Sequence, residues 1–413
     1  MSRNRVTATF GGAAAAVLLL TWVTAPRTAV PEMFADRGEV LFPGFTDPNA
    51  AASLEVIEFD SQSASVRPLK VQNRNGRWTI PSQSDYPTDA RDRLAKTAAA
   101  IIALKRDDVA SDNIADHEAS GVLDPLDTTL PAIAGRGTRV TVRGMRDELL
   151  ADVILGKPVD GRPGFRYVRQ PDQRRVYVSN VGDLTLSTAF GDWIDRDLLK
   201  VAPQDIDAVN LRNYTVDRTT GRAEPGDTLL FQKKRAAADW ELFGLRAGER
   251  INDAALDSLL RTLSGLTITG VLPKPTGITA SLNNPGRSAT LSQADIADLS
   301  RKGFFLATSG QLVSSRGEIV VRTIRGVFYT LRFGDVAPGG EASDGATPAR
   351  ENRYMFVMVD FDPSAARTPG RGAEGAETAR ALRARFAPWY YVIAADSFNA
   401  LQARRGSLVT AGR

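Results

Sequence analysis

Paired carboxylates are the side chains of this sequence best suited to chemistry. Asp360 and Asp362 flank Phe361, and Asp107 stands beside Asp108. Two carboxyls facing one bond could share the acid and base work of glycoside hydrolysis. With 48 acidic residues in 413, however, such pairs arise freely. The Asp360 pair, at the end of a strand-like run, is expected on a solvated face. The chain has no cysteine and a single histidine, His117. Thiolate catalysis, cysteine metal sites and a lipoprotein anchor are excluded, and the common triads and metal sets lose their usual member. There is no G-x-S-x-G elbow, S-x-x-K pair, Walker loop or G-x-G-x-x-G after a strand. No catalytic, cofactor-binding or metal-binding residue is therefore assigned, no cofactor is expected, and the chain reads as non-enzymatic.

The elements that would position any site occur twice. Ile114-Ala115-Asp116 followed by Gly121 is echoed by Ile296-Ala297-Asp298 followed by Gly303 at the same spacing. His117 then falls opposite Leu299, which marks it as a helix-face residue rather than a base. Upstream, Trp78, Leu94, Ile101 and Leu104 fall at one constant offset from Trp240, Leu256, Leu263 and Leu266. Steps of three and four residues put each apolar set on one face of a helix. Ser292 with Asp295 reads as a capping box and Gly303 as a helix stop, while Ser111 and Gly121 frame the matching helix. Strand-like runs follow at 139–143 and 149–155, and again at 318–322 and 327–333. After them come Arg166-Tyr167-Val168 and Arg353-Tyr354-Met355, then a strand, then closing helices at 183–199 and 395–408.

This order predicts an α+β fold: a tandem duplication of a unit with mainly antiparallel sheet and two to three helices. A regular Rossmann or barrel topology is not expected. The 43% apolar and 24% charged composition is that of an ordinary globular protein. The expected organisation is an N-terminal anchor with a short cytoplasmic end over 1–30, a linker over 31–52, and repeat units over 53–201 and 205–410. Segments 338–352 and 363–379, rich in Gly, Ala, Pro and Glu, are expected as flexible surface insertions in the second unit.

Residues 6–25 carry no charge, and about 20 helical residues span a bilayer core. Arg3 and Arg5 precede the segment and Arg27 follows it, an arrangement that leaves the N-terminus in the cytoplasm and the bulk of the chain outside. Val23-Thr24-Ala25 also resembles a signal cleavage site, but Pro26 directly after it disfavours cleavage. A single-pass signal-anchor in the inner (cytoplasmic) membrane, with a periplasmic or extracytoplasmic body, is the expectation. The net charge of +4 is spread along the chain, so no nucleic-acid footprint is read. The densest basic stretch, Arg380, Arg383, Arg385, Arg404 and Arg405, reads as a solvated face. Trp78, Trp193, Trp240 and Trp389 read first as core aromatics and second as carbohydrate-stacking surfaces.

Several local motifs resemble the domain of unknown function 4340 family. They are Trp78-x-Ile80 before a helix, Gly121-Val122-Leu123-Asp124-Pro125 closing the second helix, and the strand ending Val153-Ile154-Leu155-Gly156. Arg166-Tyr167-Val168 before Val176-Tyr177-Val178 completes the set. The resemblance is best over residues 55–200 and weaker in the second unit, where a Pro-rich stretch at 273–285 follows the first helix. It implies a membrane-anchored cell-envelope protein, since many members are encoded beside ABC-transport components resembling the gliding-motility Gld system. The implied role is an accessory or scaffold contacting permease and ATPase subunits. The alternative is an exported binding module that recognises an envelope polymer or small ligand in the cleft between the two units.

Overall fold

The computed structural model describes residues 36–412, apart from 90, 130–132, 196, 218–221, 235–238, 284–290, 308–310, 338–350 and 368–371. The candidate anchor, residues 6–25, and the stretch 338–350 lie outside the described residues. Among the described residues no helix is long and apolar enough to cross a membrane.

Apolar residues at every second position build two large sheets. In the first half the strands are β1 Ser53–Asp60, β2 Ser65–Arg74, β3 Arg77–Ile80, β4 Tyr86–Pro87, β5 Asp108–Ser111, β6 Thr138–Arg143, β7 Leu149–Pro158, β8 Phe165–Arg169 and β9 Val176–Asn180. The second half opens with β10 Ile206–Arg212, β11 Thr215–Val216, β12 Ala223–Glu224, β13 Thr228–Lys233, β14 Trp240–Leu242, β15 Glu249–Ile251 and β16 Gly270–Pro273. It continues with β17 Phe304–Leu306, β18 Leu312–Ser314, β19 Glu318–Thr323, β20 Val327–Val336, β21 Arg353–Phe361, β22 Trp389–Ile393 and β23 Val409–Ala411.

The first sheet runs β4-β3-β2-β1-β6-β7-β8-β9-β5 and the second β14-β13-β10-β19-β20-β21-β22-β16. Every neighbouring pair in both is antiparallel. Leaving β4 aside, the two orders correspond strand for strand. In each half a 12-residue helix, Arg91–Ile102 or Asp253–Ser264, leads into the far edge strand. Leu94 and Ile101 on one helix and Leu256 and Leu263 on the other are buried, as are Leu104 and Leu266 just beyond them.

The inner faces of both sheets, with these helices, form one continuous core. It includes Val140, Val153 and Trp193 from the first half and Val321, Leu331 and Tyr391 from the second. Tyr86 lies edge-on to both Phe190 and Trp389, at 5.8 and 5.1 Å between ring centres, and so joins the halves. Arg385 adds an ion pair to Asp195 at 3.4 Å. The segment 202–205 is a short 3-10 turn, Pro203–Asp205, running straight into β10. Leu41, Phe42 and Phe45, from the stretch expected as a linker, are buried in the same core.

Three local expectations are corrected. Among its described residues the segment 183–199 holds a 3-10 turn, Phe190–Asp192, and no α-helix. There Ser187 Oγ donates to Asp192, Thr188 Oγ1 to Glu58, and Trp193 Nε1 to the Ser187 carbonyl. Ser187 Oγ also accepts from the Ala189 backbone, and such local side-chain bonds compete with helix hydrogen bonding. The second half closes with helices Ala395–Leu401 and Arg405–Leu408. Residues 372–379, expected inside a flexible insertion, begin the helix Gly372–Phe386, which packs on β21 with Ala379 fully buried. The Ile114–Asp116 turn is capped by Asn113, not Ser111, whose hydroxyl instead donates to Asp116.

Candidate binding site

Both sheets turn a second face away from the shared core, and these outer faces differ. In the second sheet Arg212, Glu318, Arg332 and Phe356 stand directly opposite one another on β10, β19, β20 and β21. Residues paired across neighbouring strands on one face are in direct contact, so these four act as one row. Arg212 Nη1 donates to Glu318 Oε1 at 2.9 Å, and Arg332 Nε lies 2.9 Å from Glu318 Oε2. Glu318 is buried, Arg332 nearly so, and the Arg212 side chain is half exposed.

Over this row lie the helices Thr276–Asn283 and Gln293–Arg301 and the β17–β18 hairpin. The second helix begins with the expected capping box, in which Ser292 Oγ accepts from the Asp295 backbone and the Asp295 carboxylate accepts from the Ser292 backbone. Gly303, with φ +82°, turns the chain out of the helix. Ile278, Leu299, Phe304 and Tyr390 form a small second core with Phe356. A cavity of about 570 Å³ remains between these covers and the row. Ile278, Leu282, Leu299, Leu312, Phe356 and Met358 wall it, and Arg212, Glu318 and Arg332 mark one end. Sites for small molecules are commonly apolar clefts of about 300–1,000 Å³ with a few convergent polar groups.

Lys274 lies behind Phe356. Its Nζ donates to the Phe386 carbonyl at 3.1 Å and stands 3.8 Å from the Phe356 ring centre. Complete burial holds its pKa well below the ordinary lysine range. Lys302 pairs with Asp298 and stands 4.8 Å from the Tyr390 ring. Burial, and after it the charge of Asp298, pushes the Tyr390 hydroxyl up.

The corresponding row of the first sheet is Ile57, Arg139, Ile154 and Arg169. Its charges are consumed internally. Arg139 holds Asp124 at 2.8 Å and Asp152 at 2.6 Å. Arg169 is buried and donates to the carbonyls of Val122, Gln170, Pro171 and Gln173. Two hollows do occur in the first half, one of about 300 Å³ beside Trp78 and Leu94 and one of about 730 Å³ along Lys96 and Asp183. The larger is bordered by the exposed side chains of Lys96, Asp183 and Thr185, with Thr97 the buried polar residue and no buried charge among its lining residues.

His117 is buried, with Nε2 2.7 Å from the Arg174 carbonyl, a structural contact. Asp360 is exposed, 3.7 Å from Arg383, while Asp362 caps a 3-10 turn by accepting from the Ser364 backbone. Asp107 accepts from the Asn180 backbone and Asp108 lies 3.8 Å from Arg37. The structure does not bring these residues together. Among the described residues no group of His, Asp and Glu is placed to hold a metal ion. Trp193 is fully buried, and Trp389 packs on Tyr86 where the halves meet. The basic residues Arg383, Arg385 and Arg405 have acidic partners in Asp360, Asp195 and Glu249.

The model of the DUF4340 family, a domain of unknown function, matches residues 78–285. The chain belongs to the DUF4340 family. The match runs from Trp78 in β3 through β4 to β16, leaving out β1 and β2, and takes in the helix Thr276–Asn283, one of the covers of the cavity. No curated protein and no solved structure matches the chain. The cavity row escaped the sequence reading because its members come from four separate strands; the available signal was Glu318 and Arg332 at alternate-face positions of otherwise apolar runs.

Proposed function

We propose that this DUF4340 protein is a non-enzymatic, membrane-anchored accessory of an ABC-type transport system in the cell envelope. In this reading residues 6–25 hold it in the cytoplasmic membrane, and the folded body stands on the extracytoplasmic side. The body is a tandem duplication, supported by the strand-for-strand correspondence of the two sheets and by the paired burial of Leu94 with Leu256 and Ile101 with Leu263. The second half receives the cargo or ligand and the first half is its structural counterpart.

The observation that carries the reading is the asymmetry of the outer faces. One row is neutralised within the fold by Asp124 and Asp152, whereas the other opens on a cavity with apolar walls and charged groups at one end. The transport context rests on what the family resemblance implies. The test is affinity purification of the full chain from mildly solubilised native membranes, beside a chain lacking residues 1–30. Permease and ATPase subunits are expected with the full chain and should be lost or depleted without the anchor. Recovery of the protein alone in both preparations would sink the transporter reading.

A further inference from the structure

We propose that the cavity of the second half takes the hydrocarbon tail of a single-chain amphiphile whose head carries one negative charge, in the simplest case a long-chain carboxylate. This rests on the reading of that cavity as a binding site. Charge decides the head group. Arg212 and Arg332 face a single carboxylate, Glu318, so the lining of the cavity carries one surplus positive charge at this end. Glu318 spends one oxygen on each arginine. A guanidinium has five N–H donors in a planar fork. Arg212 directs one of them to Glu318, and Arg332 places Nε at Glu318 and Nη1 against the Met358 sulfur. Donors therefore remain on both for a planar anionic head, the group that arginine pairs with best. Arg212, half exposed, stands where a head group can reach it from solvent.

The walls decide the tail. Beyond the arginine end Tyr214 and Gln311 add polar side chains, but most of the lining, with Leu282, Leu299, Leu312 and Phe356 in it, is apolar, so a chain polar along its length would lose most of its water contacts without replacement. A cavity of about 570 Å³ falls in the range of single small molecules and suits one chain better than a two-chain lipid. A cationic head would meet the surplus arginine charge, and a neutral head would leave it unpaired. The first half lacks this combination, because Arg139 already has two carboxylates of its own.

The experiment uses the full chain in phosphatidylcholine nanodiscs with dansyl-undecanoate, whose fluorescence rises on leaving water, against empty nanodiscs as background. Saturable binding is expected, displaced by laurate and at least tenfold less effectively by methyl laurate or dodecylamine. Loss of one charge-assisted contact of ~1.5–3 kcal/mol corresponds to about a tenfold or greater loss of affinity in Arg212→Gln. Glu318 keeps Arg332 as its partner when Arg212 is replaced, so the variant should still fold and melt cooperatively, which a melting curve checks. Leu299→Trp should abolish uptake by filling the cavity. Methyl laurate or dodecylamine competing as well as laurate would overturn the anionic class while leaving the cavity a binding site. No uptake above empty nanodiscs, uptake unchanged in Leu299→Trp, or a cavity covered by a second copy, seen as a doubled mass without probe uptake, would overturn both.

Discussion

Lys274 and Asp207 are the residues at which burial makes the sharpest demands. Lys274 has a folded-state pKa well below the ordinary value of about 10.4, because its surroundings penalise the ammonium. Between that lowered pKa and about 10.4 the unfolded chain binds more protons than the folded one, so stability rises with pH across this window. Lys274→Met removes the penalty. It should raise the melting temperature at neutral pH, by a margin that shrinks as the pH approaches about 10.4; a margin independent of pH would contradict the assignment. Asp207 is fully buried between Arg322, at 2.8 Å, and Arg367. Removing one partner of a buried ion cluster typically costs ~3–5 kcal/mol. Asp207→Ala should therefore lower the urea midpoint severely, and a cost under about 1 kcal/mol would show that the cluster contributes little. Asp207 has the same two-arginine environment as Glu318, but it opens on no described cavity.

At the scale of elements, the sequence reading succeeds where a pattern is local. Alternation places β6, β7, β19 and β20 within a few residues of their observed limits, and steps of three and four place Leu94, Ile101, Leu256 and Leu263 on buried helix faces. The Ser292 capping box is local chemistry too. Ser292→Ala should cost about 1 kcal/mol, measurable as a shift in the denaturation midpoint, and a neutral result would mean the helix is held by Leu299 alone. Where tertiary contacts override composition, the reading fails. The helix Gly372–Phe386 contains the Gly- and Ala-rich sequence of an apparent insertion, yet Ala379, Leu382 and Phe386 seat it on the core, where small residues permit close approach. A similar limit hides the cavity: alternation says which face a residue takes but not what covers that face. Arg212, Glu318 and Arg332 lie far apart in sequence and meet only when β10, β19 and β20 are placed side by side.

For the whole molecule, the continuous core means that the two halves act as one body, joined by Tyr86, Phe190 and Trp389. The two sheets correspond, and the halves differ in what covers their outer faces. In the first half the loop after Gly121 folds back to satisfy Arg139 and Arg169, whereas after Gly303 the second half turns into the β17–β18 hairpin over the cavity.

The most direct measurement of this account is the side of the membrane on which the body stands. The chain has no cysteine, so single cysteines placed at exposed Gln62 and Asp257 report cleanly. In cells with the outer layers opened but the cytoplasmic membrane intact, an impermeant maleimide should label both variants, and both should stay with the membrane through an alkaline carbonate wash. Labelling only after lysis, or release of the labelled protein by the wash, would contradict an anchored extracytoplasmic protein.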